Sequence, residues 1–293
     1  MNGKTLRACL RAGLAAGVLA LAVAAPGASV GQPSPISGMT PEQVVEYSTA
    51  AKPLPTAAAN TVPRAFGKPD LSGLWLQDQG ILFTDMTPKH HSGSHPGYDD
   101  KVNYPPFTPE YQARYDAFGA EVKKNGYNRL YDCDPTGMPR LMANPFPMEL
   151  VQLKDKLLML FEYKSQIRRA YMDGRPHPSE DDYDASYTGH STAKWEGETL
   201  VVDTTLIKEA TGKLIQITGI EHSDQLHIVE RVRFLNPNRI EWEITMIDPK
   251  VFTKPWVNRR SFTRRPLSIN VPEYACTASE LIKELGYEKK PKN

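Results

Sequence analysis

Beyond residue 140 the chain is written mostly in short runs whose apolar and polar positions alternate. MELVQL, KLLMLFEY, QIRRAYMD, TAKWEG, TLVVDT, KLIQITG, LHIVERVRF, RIEWEITMI and WVNRRSFT read as strands, separated by turn residues such as Asn236-Pro237-Asn238. Earlier, PDLSGLW brings Leu71, Leu74, Trp75 and Leu76 together as the first strand of the core. Short links between successive runs point to an antiparallel meander, and no helical pattern separates them as parallel βαβ units would require. About nine such strands are expected to close into a barrel or a strongly curved sheet, because closure removes unpaired edges. The fold class expected is mainly β, with a few peripheral helices.

Helical punctuation is sparse. Thr108-Pro109-Glu110 opens TPEYQARYDAFGAEVKKNG with a cap and a first-turn proline, and Gly126 is a plausible end. Thr40-Pro41 starts a shorter helix reaching about Ala50, and ASELIKELG reads as a terminal one. Between these lie the proline- and alanine-rich linker LPTAAANTVPRAFGKP and a long irregular insertion over 77–107. The expected organisation is a signal segment over 1–30, a helix and linker over 31–68, and one β domain over 69–293.

Alternation also exposes charges where apolar residues are expected. Leu226, Ile228, Glu230, Val232 and Phe234 share one face of a strand, which places Glu230 within an apolar surface. Reading KLLMLFEY and QIRRAYMD the same way groups Leu158 and Leu160 with Glu162, and Ile167 and Tyr171 with Arg169. A carboxylate on a core face must be paired, hydrogen-bonded or protonated. Glu162, Glu230 and Arg169, joined by Arg231, are therefore expected to meet inside the barrel. Two readings of that meeting stay open: a buried ion-pair network that fixes register, or the polar floor of a ligand cavity.

The densest chemistry lies between Ile167 and Asp203, where Arg169, Asp173, Arg175, His177, His190, Trp195 and Glu196 crowd around strands. His222 adds a second histidine followed by serine. WEGET reads as a hairpin turn in which Gly197 supplies positive φ. In the long insertion His90, His91 and His95 with Asp99 and Asp100 offer metal-ligand types, although a Gly/Ser/Pro loop suits an exposed lid better.

Charge and composition narrow the partners. With 35 basic and 34 acidic residues the formal net charge is +1, which excludes a nucleic-acid surface and a polybasic membrane patch. Lys4, Arg7 and Arg11 precede AGLAAGVLALAVAA and then small residues, the order of a secretory signal. The apolar run is short for a membrane span, so the processed chain is expected in the periplasm or medium with no membrane partner. Cys133 and Cys276 then remain, either as a disulfide worth roughly 4 to 5 kcal/mol in the chain-entropy model or as separate thiols. The G-x-S-x-G elbow, H-E-x-x-H, Walker loop and dinucleotide fingerprint are all missing from the sequence, and no cofactor is expected.

The series PDLSGLW, CDPTGMPR, PMELVQ, DGRPHP, GHSTAKWEGETLVVDT and ERVRF resembles a family of secreted bacterial proteins whose usual motif is GHSVGRWEGDTLVVDT. The likeness runs from about Pro69 to Trp256, with departures at Ala193, Lys194 and Glu198. It implies export and a β-rich domain with shared polar motifs, and carries no reaction with it. The meander also looks like lipocalin-type barrels, by fold analogy alone.

Three functions follow as expectations. The first is an enzyme moving protons on a small apolar, aromatic or polycyclic molecule as a lyase, hydratase or isomerase. In it His190 and Asp173 serve as acid and base, Arg140, Arg169 and Arg175 orient or stabilise negative charge, and Glu162 and Glu230 hold the arginines. Trp195, Tyr171 and His222 complete the ligand site. The second is a carrier of the same kind of ligand, and the third a metal-dependent hydrolase built on the His90 to Asp100 loop.

Overall fold

The computed structural model describes residues 61–78, 105–125, 135–144, 146–209 and 221–274, all within the unit Gln32–Asn293. A two-residue hairpin pair, β1 (Arg64–Ala65) and β2 (Lys68–Pro69), leads into nine strands that close into a barrel. These are β3 (Gly73–Gln77), β4 (Met148–Gln152), β5 (Lys156–Phe161), β6 (Ile167–Tyr171), β7 (His190–Glu196), β8 (Thr199–Thr205), β9 (His227–Asn236), β10 (Arg239–Ile247) and β11 (Trp256–Arg265). The class is mainly β, and the closed barrel is consistent with a lipocalin-like one. The two terminal helices, the KLIQITG run, the signal segment, both cysteines and His90 to Asp100 lie outside the described residues.

Strands follow chain order around the barrel, and β11 returns to pair with β3. The expected meander holds with one departure. β6 and β7 run parallel, through Ala170↔Ser191 and Tyr171↔Thr192. Their connection, residues 172–189, is long enough to carry the chain back to the starting end, which a parallel pair requires and a hairpin cannot do. The expected β7–β8 hairpin turn is a two-residue loop, and Gly197 has φ +61°.

Large side chains fill the interior. Trp75, Met148, Met159, Val232, Trp242 and Phe262 are all buried on inward positions. Phe234 meets Trp75 edge-on at 6.1 Å, and the Arg264 guanidinium covers the Trp75 ring at 4.4 Å. The helix α1 (Pro109–Asn125) starts where the sequence puts it. It packs on the loop between β10 and β11: Thr108 N–H donates to Val251 O at 2.8 Å, and Phe107 stacks on Phe252 at 5.9 Å.

The inward cation is Arg168, not Arg169. On β5 and β6 the inward residues are Leu157, Met159, Phe161, Arg168 and Ala170, while Ile167 and Arg169 are exposed. The sequence is ambiguous here because LLMLF is apolar on both faces and IRRAY places one arginine on either, so a one-residue slip exchanges them. Glu162 is also displaced: it follows β5 at the head of a 3-10 turn, half-buried, and its N–H donates to Pro147 O at 3.1 Å. Arg231 faces outward and pairs with Glu196 at 3.0 Å.

Glu230 is inward, as its strand's alternation requires, and Arg168 meets it in a fork. Arg168 Nη1 lies 3.0 Å from Glu230 Oε1, and Nη2 pairs with Oε2. Nε donates to Ser191 Oγ at 3.1 Å, Nη2 donates to Thr204 Oγ1 at 2.6 Å, and Trp242 Nε1 donates to Glu230 Oε1 at 3.0 Å. Both charges are removed from water and their polar atoms are met, so of the two open readings the register-fixing network fits. Removing one partner of such a pair costs about 3 to 5 kcal/mol. Arg168→Ala is therefore expected to lower stability by about that much in urea unfolding, while Arg169→Ala shifts it by no more than about 0.5 kcal/mol. Equal losses would contradict the register.

Candidate functional site

Because strand neighbours face opposite ways, each residue beside the interior network looks out of the barrel. Tyr171 follows inward Ala170, His190 and Thr192 flank Ser191, Asp203 precedes Thr204, and His227 precedes Ile228. These outward residues converge near the parallel seam.

The 172–189 segment covers them and is itself pinned. Met172 N–H donates to Asp155 O at 2.7 Å, Ser186 N–H to Leu206 O at 3.0 Å, and Met138 N–H to Tyr187 O at 2.8 Å. That last bond ties Met138 to the covering segment two residues before Gly189. Gly189 closes the segment at φ +67°, where an added Cβ would lie 2.6 Å from Thr205 O and 2.8 Å from Ile207 Cγ1. No side chain fits, and the tight passage sets where His190 begins β7.

Three side chains form a hydrogen-bonded line. Asp203 Oδ1 lies 3.0 Å from His177 Nε2, and His177 Nδ1 lies 2.9 Å from His190 Nδ1. Asp203 Oδ1 also meets His227 Nε2 at 2.9 Å, and Thr192 Oγ1 is 3.4 Å from His177 Nε2. Burial works to raise the Asp203 pKa, but hydrogen bonds and charge from His227 and His177 together outweigh it and hold the carboxyl below its ordinary range. An ionised Asp203 only accepts, so His177 Nε2 carries hydrogen. In the neutral ring its Nδ1 then accepts, the hydrogen between the rings belongs to His190 Nδ1, and His190 Nε2 keeps a lone pair.

His190 is buried between rings. Tyr171 stacks on it at 5.4 Å and 24°, and Tyr183 meets it edge-on at 5.5 Å. Burial first, then the charges of His177 and Arg175, push its pKa below the usual histidine value. The neutral ring is the form these surroundings favour at neutral pH.

Other expected site residues fall differently. Arg175 lies over the Tyr171 ring at 3.9 Å and is bound to Asp173, with Nε 2.9 Å from Oδ1. That bond holds the exposed Asp173 carboxyl down at about 2, so it is ionised at neutral pH and tethers Arg175. Arg169 is exposed on the outer wall, two residues before Tyr171 on the same strand face, and Glu230 pairs with Arg168 instead. Trp195 is an inward, partly buried residue opposite Leu200, toward the other end of β7. Arg140, half-buried, opens a 3-10 turn whose other residues are buried, and among the described contacts none joins it to the histidines. His222 is buried elsewhere, with Nδ1 3.1 Å from Ser223 O.

Asp203 belongs to the dense stretch read from sequence without a role of its own, and His227 is not singled out there. The usable signal is register: Asp203 pairs with Val229, which puts the outward His227 one diagonal step away. Among the described residues no group of three or more His, Cys, Asp or Glu is arranged to hold a metal ion, and no helix is long and apolar enough to cross a membrane. No protein-family model matches the chain, and no curated protein matches it.

The buried histidine outside the site gives a pH test. Burial pushes His222 below its ordinary 6.5, so the folded state refuses a proton that the unfolded chain accepts. Its contribution to stability is complete above about 6.5 and falls as pH drops through that value toward the folded midpoint. His227, raised by its bond to Asp203, has the opposite sign: its contribution is present below 6.5 and disappears as pH rises through the raised midpoint. Urea midpoints measured across this range should fall less steeply on the acid side in His222→Gln than in the parent; an unchanged slope would contradict the assignment.

Proposed function

We propose that this chain is an exported acid–base enzyme, a lyase, hydratase or isomerase that needs no cofactor, with His190 as its base. The observation that carries the reading is the line Asp203–His177–His190, at whose end His190 Nε2 keeps a lone pair. Proton transfer by a positioned histidine is worth roughly 10²- to 10⁴-fold in rate.

In this reading His190 Nε2 takes a proton from a carbon or oxygen of the substrate. The imidazolium that forms is steadied through Nδ1–H to His177 and on to Asp203, which stays ionised. The same nitrogen then returns the proton, to a different atom in an isomerisation or to a departing hydroxyl in a dehydration. Arg175, whose charge is felt at His190, stabilises negative charge developing on the substrate. Tyr171 and Tyr183 supply ring faces beside the base, which suits a small aromatic or polycyclic substrate. The carrier reading is less well supported, since the barrel interior it would use is occupied by Trp75, Trp242, Phe262 and the Arg168 network.

The test is a panel of small aromatic hydroxy and carbonyl compounds incubated with the protein in deuterated water and followed by NMR for deuterium uptake or loss of water. Activity is expected, with an acid limb below the ordinary histidine range because the neutral base is lost only as pH falls through the lowered His190 value. His190→Ala, folded by circular dichroism, is expected to lose roughly 10²-fold or more. A variant as active as the parent would remove His190 from the mechanism.

A further inference from the structure

His227 adds a second histidine to the same oxygen of Asp203. The sharing is close, 2.9 Å from His227 Nε2 and 3.0 Å from His177 Nε2 to Oδ1. One oxygen thus serves both the line to His190 and an imidazole outside that line. Proton affinities of groups tied to one carboxylate cannot be independent, because positive charge on one partner weakens what the carboxylate offers the other.

The surroundings of His227 make Asp203 its controlling charge. From β8 it faces Asp203, and from the covering segment His177 reaches it only through that carboxylate. Its register partner on β10 is Ile247, which does not titrate. His227 is half-buried at the first position of β9, so its ring can exchange protons with water while staying against Asp203.

We infer that His227 is a positioning residue for the base: its imidazolium, held on Asp203, draws on the carboxylate's charge and keeps His190 unprotonated in mildly acidic surroundings. This rests on the reading of His190 as the base. The direction follows from charge alone. A cation on Asp203 leaves less negative charge to steady a protonated His190, so His190 binds its proton more weakly. The raised proton affinity of His227 agrees, since it keeps the cation in place over the range in which His190 titrates. An exported protein meeting variable pH would thereby retain an active base where an ordinary histidine is lost to protonation.

The test needs no substrate. Imidazole NMR titrations of His190 are compared in the full chain, in His227→Gln and in His227→Lys. Glutamine keeps an N–H donor for Asp203 and removes the charge; lysine keeps a cation. The His190 midpoint is expected to shift upward, toward the ordinary histidine range, in His227→Gln and to stay low in His227→Lys. An unchanged midpoint in His227→Gln overturns the inference, and so does an equal rise in both variants, which would indicate simple loss of shape. If the shift appears but no compound in the panel is turned over, the coupling stands and the enzymatic reading fails. If turnover appears without the shift, only the role of His227 is lost.

Discussion

The Arg168–Glu230 pair is the constraint on which the rest of this barrel turns. It reaches across the interior from β6 to β9 and draws in Ser191 of β7 and Thr204 of β8, so four consecutive strands share one hydrogen-bonded centre. Burying two charges is costly, and only the fork geometry with its additional donors makes the arrangement tolerable. That cost ties register to the pair: Arg168 meets Glu230 only while Ile167 and Arg169 face outward.

The same register also explains why the Asp203–His177–His190 line is on the outer wall. Strand alternation places these outward residues beside two members of the interior network, His190 and Thr192 beside Ser191 and Asp203 beside Thr204, with Tyr171 beside the inward Ala170. The inner set is buried, while in the outer set His177, Asp203 and His227 are half-buried and His190 is buried against its neighbours. The covering segment, tied down at Ser186 and Tyr187, converts an open sheet surface into a partly buried one. Partial burial lowers the proton affinity of His190 while Asp203, with two histidine donors, remains ionised.

Much of this was legible in the sequence, and the failures share a cause. Most of the barrel strands, the start of α1 at Pro109 and the turn at Gly197 follow from alternation, capping and turn chemistry, which are local. Glu230 was rightly placed inward because its neighbours Ile228, Val232 and Phe234 leave one choice. Arg169 is read inward in place of Arg168 because β5 is apolar on both faces and β6 carries an arginine on each, so only a partner across the barrel decides between them. The parallel seam was missed since a long connection carries no mark of its direction. Tyr171 and His190 stood out as isolated residues, but their union with His177, Asp203 and His227 depends on the β8–β9 register and on the fold of 172–189, both non-local.

The central claim is that the line from Asp203 leaves His190 with a free Nε2. Nitrogen-15 NMR of selectively labelled histidine at neutral pH reads that directly. The account requires a neutral His190 ring protonated at Nδ1 and bare at Nε2. A ring carrying hydrogen on Nε2, whether as the other tautomer or as imidazolium, would contradict it.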